Sequence, residues 1–280
     1  MEIKFLSSKL EQMHLKMREL FDMVDSIGVN VFGYELAYAE GRDPFPEGEV
    51  PLYLDVLKPY LSRLAPPPAS ILDVGGGTGR LAIPLAREGY HVTIFEPAAS
   101  GLEIAHRKAT LAGVESRLSY VCGYVCDLSQ LSERSFDVVL GLQSLLYLDD
   151  LKTALEMAVR AARRAVCFDV PSLYGFILGR MPGFKVDPLT VSQVLKTGVT
   201  PETETFSRER YHCYTEEQLR DIAEEAGIQV DEVVPFSFLE VLDWHGDPMD
   251  RDARELEEHF RHDDVMRQLA AFNMVLGRRR

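Results

Sequence analysis

The feature that most constrains the fold of this 280-residue chain is a glycine-rich turn, Gly75-Gly76-Gly77-Thr78-Gly79. It follows Ser70–Val74, an apolar segment of strand length, and it precedes a segment with helical periodicity at about 80–88. Glycine has no Cβ, so a ligand can approach the backbone of such a turn closely. The pattern therefore predicts an α/β domain with a ligand site at the end of its first strand.

Three kinds of glycine turn have to be distinguished. A phosphate-binding P-loop carries a lysine after its last glycine, and no lysine follows here. A dinucleotide-binding turn has the pattern GxGxxG, and Arg80 stands where its third glycine should be. What remains is Gly75-x-Gly77-x-Gly79, with an acid, Asp73, on the strand just before it.

A second acid, Glu96, ends the second predicted strand, 23 residues after Asp73. A carboxylate at this position can accept hydrogen bonds from both hydroxyls of a ribose. That role suits NAD and other nucleosides alike. Glu96 therefore indicates a ribose site, and the pattern of the glycine turn indicates which nucleoside binds there. A helix cap or a surface charge is the structural alternative.

Predicted strands and helices alternate from residue 70 onward. The strands lie at 70–74, 91–95, 118–122, 136–142 and 165–170, and the helices between them at about 80–88, 98–112 and 149–163. A helix capped by Thr215 and Gln218, a strand at 228–238, an acidic helix at 250–262 and a strand at 269–276 follow. This order predicts a mostly parallel seven-stranded sheet with helices on both faces.

Two segments interrupt or precede this alternation. Residues 1–64 are predicted to form an N-terminal helical cap, with an apolar stripe at residues 3–24 and a helix at 50–64, and prolines at 66–68 separate it from a domain at 69–280. The stripe is typical of a helix packed on its own core; a lid or a homodimer seam is the alternative. Residues 171–214 have no regular period and are predicted to form a substrate-capping insertion after the fifth strand.

Composition excludes several classes of protein. The net charge of −14 makes the chain a poor non-specific binder of nucleic acid. The four cysteines form no CxxC pair, so we expect no metal site. Charges recur through the N-terminus, and no uncharged apolar run reaches the length of a membrane span. We therefore expect a cytoplasmic protein without a membrane partner.

These motifs together resemble the S-adenosylmethionine-dependent methyltransferases with a Rossmann-like seven-stranded sheet, over roughly residues 70–280. In that family the glycine turn holds the methionine part and the ribose, the following acid holds the ribose hydroxyls, and the stretch after the third strand holds the adenine. The resemblance implies S-adenosylmethionine as cofactor and S-adenosylhomocysteine as product. It implies cofactor contacts from Asp73, Gly75, Gly76, Gly77, Gly79, Glu96, Pro97, Val125, Cys126, Asp127 and Gln143.

One departure from the family affects the adenine site. Many relatives have Gly-Asp after the third strand, whereas here Tyr124 follows Gly123 and the next acid is Asp127. The adenine amino group could therefore meet Asp127, or only the backbone at Val125 and Cys126. Asp127 could equally serve as a helix cap.

The chemistry requires no catalytic side chain, because the cofactor carries the reactivity and the protein aligns the nucleophile. His212, Tyr147 and Asp169 are nevertheless candidates for a base, since they follow predicted strands or end the insertion. Four residues are candidates for closing over the cofactor and contacting the substrate: Tyr34, Tyr38, Arg42 and Ser144.

Four functional hypotheses follow. The first is a methyltransferase acting on a small molecule under a lid. The second is a tRNA methyltransferase, because Asn30-Val31-Phe32-Gly33 and the acidic helix loosely resemble the enzymes that methylate carboxymethoxyuridine, although the net charge opposes it. A non-catalytic nucleotide-binding protein on the same fold is the third. An NAD-dependent dehydrogenase is the fourth, and Arg80 disfavours it.

Overall fold

A computed structural model describes residues 31–39, 49–145, 148, 150–177, 187–200, 210–238 and 251–280. The predicted apolar stripe at residues 3–24, and with it the alternative of a homodimer seam, lies outside these described residues.

The described residues form one seven-stranded sheet with the strand order β3-β2-β1-β4-β5-β7-β6. Its strands are β1 Ser70–Val74, β2 His91–Glu96, β3 Leu118–Cys122, β4 Phe136–Gly141, β5 Ala162–Pro171, β6 Ile228–Phe236 and β7 Phe272–Arg279. Strands β1 to β5 pair in parallel, and β7 is antiparallel to both β5 and β6. The predicted fold is therefore confirmed. Because β1 lies between β2 and β4, the strand order reverses here, and a crevice opens at the carboxyl ends of these strands.

Helices alternate with the strands as predicted, but two of them, at 173–177 and 188–197, lie in the segment where no regular period predicted a helix. They are α1 Val31–Ala39, α2 Val50–Leu64, α3 Ala82–Arg87, α4 Ala99–Ala112, α5 Leu151–Ala161, α6 Leu173–Ile177, α7 Pro188–Thr197, α8 Glu216–Glu225 and α9 Arg251–His262. The predicted capping box of α8 is confirmed. The Thr215 side chain accepts from the Gln218 backbone amide, and the Gln218 side chain accepts from the Thr215 backbone amide. None of the helices in the described part of the chain is long and apolar enough to cross a membrane.

Two hydrophobic clusters cover the two faces of the sheet. On one face, α2, α3 and α4 pack on the strands, with Leu57 and Leu61 of α2 fully buried. On the other face, α5 and α8 contribute Leu155 and Leu219. Helix α2 thus shares a core with the sheet, and this contact brings Tyr53 against Asp169 near the carboxyl end of β5.

Several predicted boundaries are wrong, most clearly those of β5 and β7. Helix α5 ends at Ala161, and β5 begins at Ala162, three residues earlier than predicted, because this residue pairs with Phe136 of β4. The last strand runs from Phe272 to Arg279, and its charged end remains in the sheet. Arg279 can stay there because its guanidinium donates to three backbone carbonyls, one of them that of Ala162 at 2.8 Å.

Candidate active site

The glycine turn joins β1 to α3 at the crevice in the sheet. Gly75, Gly77 and Gly79 all have positive φ angles, of +71°, +50° and +79°. The Gly75 amide donates to the Phe95 carbonyl at 2.7 Å, which fixes the turn against the end of β2. A side chain on Gly75 has no room, since its Cβ would lie 2.3 Å from the Cβ of Ser144. The turn therefore needs glycine both for its backbone angles and for its packing.

Glu96 ends β2 beside this turn. Its two carboxylate oxygens accept from the Gly77 amide and from the Ala98 amide, each at 3.0 Å. The side chain is only 7% exposed. Burial raises the pKa of this carboxyl to about 7, against the lowering effect of the two amides. Each oxygen keeps a second lone pair, so the group can still accept two hydroxyl donors from the cleft.

Asp73, the other acid of the motif, lies in β1 directly under the turn and is 2% exposed. Burial raises the pKa of its carboxyl to about 7; Arg80 lowers it and Glu96 raises it further. A Cβ on Gly76 would lie 2.7 Å from its Oδ2. The two acids thus form a buried pair beside the turn, and a cationic ligand would favour their ionised forms.

The loop after β3 carries the predicted adenine contacts. Asp127 accepts from the Tyr124 amide and from the Gln130 side chain, both at 2.9 Å, so its carboxylate caps the short 3₁₀ helix Val125–Gln130. Cys122 lies next to Pro97, with its thiol 3.5 Å from the Pro97 carbonyl oxygen. The loop is therefore adjacent to the Glu96 end of β2. The adenine contacts of Val125, Cys126 and Asp127 stay predictions, as does the cofactor contact of Pro97.

A buried polar pair supports the end of β4. Asp169 of β5 is fully buried and accepts from the Gln143 amide at 2.6 Å and from the Tyr53 hydroxyl at 2.7 Å. Burial raises the pKa of Asp169 to about 6, although these two donors and Arg80 oppose the rise. Gln143 has a φ of +51°, uncommon for a residue with a side chain. With both oxygens engaged, Asp169 holds the backbone of Gln143 in place.

We expect Tyr53→Phe to lower the free energy of unfolding by about 1–3 kcal/mol, because it leaves a buried carboxylate oxygen without its donor. Urea unfolding followed by circular dichroism measures this. Tyr120→Phe is the matched control, since the Tyr120 hydroxyl is buried without a hydrogen-bond partner among the described residues. Equal losses in the two variants would show that the Tyr53 hydroxyl does not stabilise Asp169.

Helix α1 lies over the entrance to the crevice, in a part of the predicted helical cap where the sequence pattern located no separate helix. Glu35 accepts from the Ser100 amide at the start of α4, at 3.2 Å, which anchors α1 near Glu96. Tyr38 is buried and packs on Gly101, and its hydroxyl would lie 3.1 Å from a Cβ on Gly77. The ring of Tyr34 is 6.1 Å from that of Tyr38. Tyr38 thus lies beside the glycine turn with Tyr34 next to it, and their role as a cover over the cofactor stays a prediction.

Arg80 and Glu49 join the site from positions that the sequence analysis did not select. The Arg80 guanidinium donates to the Gln143 side-chain oxygen at 2.5 Å and lies 3.4 Å from a Glu49 carboxylate oxygen. It also lies over the Tyr53 ring, at 5.7 Å from the centroid. One cleft is lined by Tyr38, Gly75, Gly76, Gly77, Thr78, Arg80, Leu142 and Gln143. The only sequence signal for Arg80 was its replacement of a glycine in the dinucleotide pattern.

The remaining candidate residues do not share one location. His212 is half-buried on the insertion, where its backbone forms a bridge with Val199, and its role as a base stays a prediction. Ser144 lies against Gly75, and its buried hydroxyl has no hydrogen-bond partner among the described residues. Tyr147 and Arg42 lie outside the described residues. Within the described ranges, no group of three His, Cys, Asp or Glu residues could hold a metal ion.

Comparison with known proteins places the site in a family context. Residues 71–165 match a family model described as a methyltransferase domain. The ubiquinone biosynthesis O-methyltransferase of Azorhizobium caulinodans is 39% identical over 88 residues, 31% of this chain and 34% of that protein. The tRNA 5-carboxymethoxyuridine methyltransferase of Escherichia coli is 26% identical over 96 residues, 34% of this chain and 37% of that protein. The chain thus spans about a third of the length of these curated relatives.

A solved structure extends the likeness to most of the chain at the level of fold. Magnesium protoporphyrin IX methyltransferase from Synechocystis PCC 6803, crystallised with bound S-adenosylhomocysteine, superposes with a TM-score of 0.54. The alignment covers 83% of this chain and 84% of that one at 15% identity. The two chains share the same arrangement of sheet and helices.

Proposed function

We propose that this chain, a member of the S-adenosylmethionine-dependent methyltransferase family, transfers a methyl group from that donor to a small-molecule acceptor. The proposal depends mainly on one observation. The glycine turn, the carboxylate of Glu96 and the end of β4 all lie at the point where the strand order of the sheet reverses. Open α/β sheets bind their ligands at this point.

The residues of the cleft fit the donor. The backbone from Gly75 to Gly79 presents no side chain except Thr78, so an extended ligand can lie against it. Glu96 would accept the two ribose hydroxyls through the lone pairs that the Gly77 and Ala98 amides leave open. The buried acids Asp73 and Glu96 suit a positively charged ligand, which would favour their ionised forms. When bound, S-adenosylmethionine supplies a methyl group activated by its sulfonium.

The chain's own residues would align the acceptor and exclude water. Tyr38 covers the glycine turn from α1, and Gln143 projects into the same cleft from the end of β4. The bond from the Gln143 amide to Asp169 fixes this end of the cleft. A fixed acceptor geometry is the main requirement of an in-line displacement.

A small acceptor is favoured over RNA by the net charge of −14 and by the buried tyrosine over the cleft. Methylation of tRNA is the second candidate, because one of the matched relatives is the tRNA 5-carboxymethoxyuridine methyltransferase of Escherichia coli. An RNA substrate would require a steep salt dependence of binding.

Two measurements test this function. Calorimetric titration with S-adenosylhomocysteine and, separately, with NAD should show binding of the first alone. Incubation with donor labelled in its methyl group, together with either a protein-free metabolite extract or total tRNA, should then place the label in the metabolite fraction. Label in tRNA would establish the second candidate. Binding without transfer to either fraction would point to a non-catalytic protein, and binding of NAD alone would overturn the family-based function.

A further inference from the structure

Asp169, the acid in β5, has no surface open to a methyl acceptor. It is fully buried, and its two oxygens accept from the Gln143 amide and the Tyr53 hydroxyl. A general base must come within hydrogen-bond distance of the proton that it removes. Asp169 therefore fits the role of a positioning residue for Gln143, and the proton of a hydroxyl or amine acceptor needs another recipient.

Glu49 is a second carboxylate at the border of the cleft, and it has open surface. It directly precedes α2, but its side chain caps no backbone amide of that helix. Its Oε2 instead lies 3.3 Å from the Gln143 side-chain nitrogen and 3.4 Å from Nη1 of Arg80. Both of these residues line the cleft together with the glycine turn. The side chain of Glu49 is 21% exposed, so a ligand of the cleft can reach it.

The orientation of the Gln143 side chain determines how Glu49 is held. A guanidinium can only donate, so the Gln143 atom that lies 2.5 Å from Arg80 is the oxygen, and the nitrogen faces Glu49. The contacts to Glu49 are long, and bonds to catalytic groups are often long in ligand-free sites and tighten when the substrate binds. The other oxygen of Glu49, Oε1, accepts from no donor in the described part of the chain. One oxygen is thus held by cleft residues, and the other is available to a proton of the acceptor.

We propose that Glu49 is the general base of this site, and that Gln143 and Arg80 orient its carboxylate. The acceptor is then a hydroxyl or an amine, and its O–H or N–H bond breaks as its oxygen or nitrogen gains the methyl group. The proton passes to Oε1 of Glu49. The electron pair of the broken carbon–sulfur bond stays on sulfur, which gives the neutral thioether S-adenosylhomocysteine. This inference rests on the proposed function, because it names a residue for the same reaction.

Glu49→Gln keeps the size of the side chain and removes its ability to take a proton. With methyl-labelled donor and the fraction that wild type labels, the initial rate of transfer should fall by roughly 100- to 10,000-fold. The affinity for S-adenosylhomocysteine, measured by calorimetry, should stay within about fivefold of wild type, the effect of one weak ion pair. A loss of rate with retained affinity would place the role of Glu49 in the transfer step.

Glu88→Gln is the matched control. Glu88 directly follows α3, is exposed, and forms an ion pair with Lys58. The substitution therefore also removes the acid of an ion pair, but it does so outside the cleft. It should change neither the rate of transfer nor the affinity for S-adenosylhomocysteine.

Glu49→Ala separates removal of a proton from a purely electrostatic role beside Arg80. The truncated side chain leaves space for a small carboxylate added to the solution. Acetate should restore part of the rate, and fluoroacetate, which is close to acetate in size but much less basic, should restore less. A carboxylate that only paired with Arg80 again would restore the rate equally in the two cases.

The proposal is overturned if Glu49→Gln transfers label at the wild-type rate, or if acetate restores no more activity to Glu49→Ala than fluoroacetate does. It is also overturned if Glu49→Gln no longer binds S-adenosylhomocysteine, because Glu49 would then serve the donor. In each of these cases wild type still transfers label, and the proposed function stands. If wild type itself labels no fraction, the proposed function fails, and the role of Glu49 fails with it.

Discussion

Gly75→Ala is expected to weaken the binding of S-adenosylhomocysteine by roughly 100-fold, because a displaced turn would lose hydrogen bonds to the ligand that contribute about 0.5–1.5 kcal/mol each. The new Cβ would lie 2.3 Å from the Cβ of Ser144, far inside the contact distance of two carbons. The turn and the end of β4 must therefore separate. A φ of +71° adds about 1–2 kcal/mol of backbone strain for alanine. Calorimetry and urea unfolding measure the two effects separately.

Gly113→Ala measures the cost of the backbone strain alone. Gly113 ends α4 with a φ of +69°, almost the same as Gly75, but nothing lies within 4 Å of the position its Cβ would take. This control should lose about 1–2 kcal/mol of stability and no affinity. Adding Ser144→Gly to Gly75→Ala removes the clashing carbon and should restore part of the affinity. Equal behaviour of the two alanine variants would contradict a packing role for Gly75.

The order of strands and helices could be predicted because local chemistry determines it. Buried parallel strands such as β4 are apolar nearly throughout, and Gly113 and Thr215 mark helix ends by their backbone and hydrogen-bonding properties. The ends of strands were predicted less well where pairing between strands keeps charged residues in the sheet. The charged end of β7 stays in the sheet because Arg279 finds backbone carbonyls that no local pattern reveals.

The residues of the candidate site also fall into a part that the sequence predicted and a part that it did not. Asp73, the glycine turn and Glu96 are close in sequence and belong to one strand-turn-helix-strand unit, so their proximity could be predicted. Tyr53 meets Asp169 across 116 positions in the chain, and Arg80 meets Gln143 across 63. The first contact depends on how α2 packs on the sheet, and the second depends on the pairing of β1 with β4. Periodicity alone specifies neither. Charged and polar side chains that complete a cleft from distant elements are therefore the part that sequence patterns miss.

Glu96→Gln is expected to weaken the binding of S-adenosylhomocysteine by roughly 100-fold at pH 8, because each charge-assisted hydrogen bond contributes about 1.5–3 kcal/mol. The carboxylate of Glu96 already accepts from the Gly77 and Ala98 amides. A glutamine has one acceptor oxygen, so its NH₂ group would face one of these two amides. The loss of affinity therefore comes from weakened hydrogen bonds to the backbone of the turn as well as from weakened hydrogen bonds to the ribose.

The same residue should give wild type a pH-dependent affinity. The pKa of Glu96 is about 7 in the ligand-free protein because the carboxyl is buried. A ribose needs two acceptors, so the ligand binds the ionised form. Above pH 7 the group is already ionised and affinity is at its full value. Below pH 7 binding must first release a proton, so affinity should fall about tenfold between pH 8 and pH 6.

The variant separates this explanation from a second one. Asp73 also has a pKa of about 7 and lies beside Glu96, so either acid could produce a pH dependence in this range. If Glu96 is responsible, Glu96→Gln should bind weakly and equally at pH 6 and pH 8. Glu103→Gln, which removes an exposed acid from α4, should keep the wild-type profile. A variant that is weak but still loses tenfold at pH 6 would assign the titration to Asp73. Ribose binding by Glu96 would then account for the affinity but not for its pH dependence.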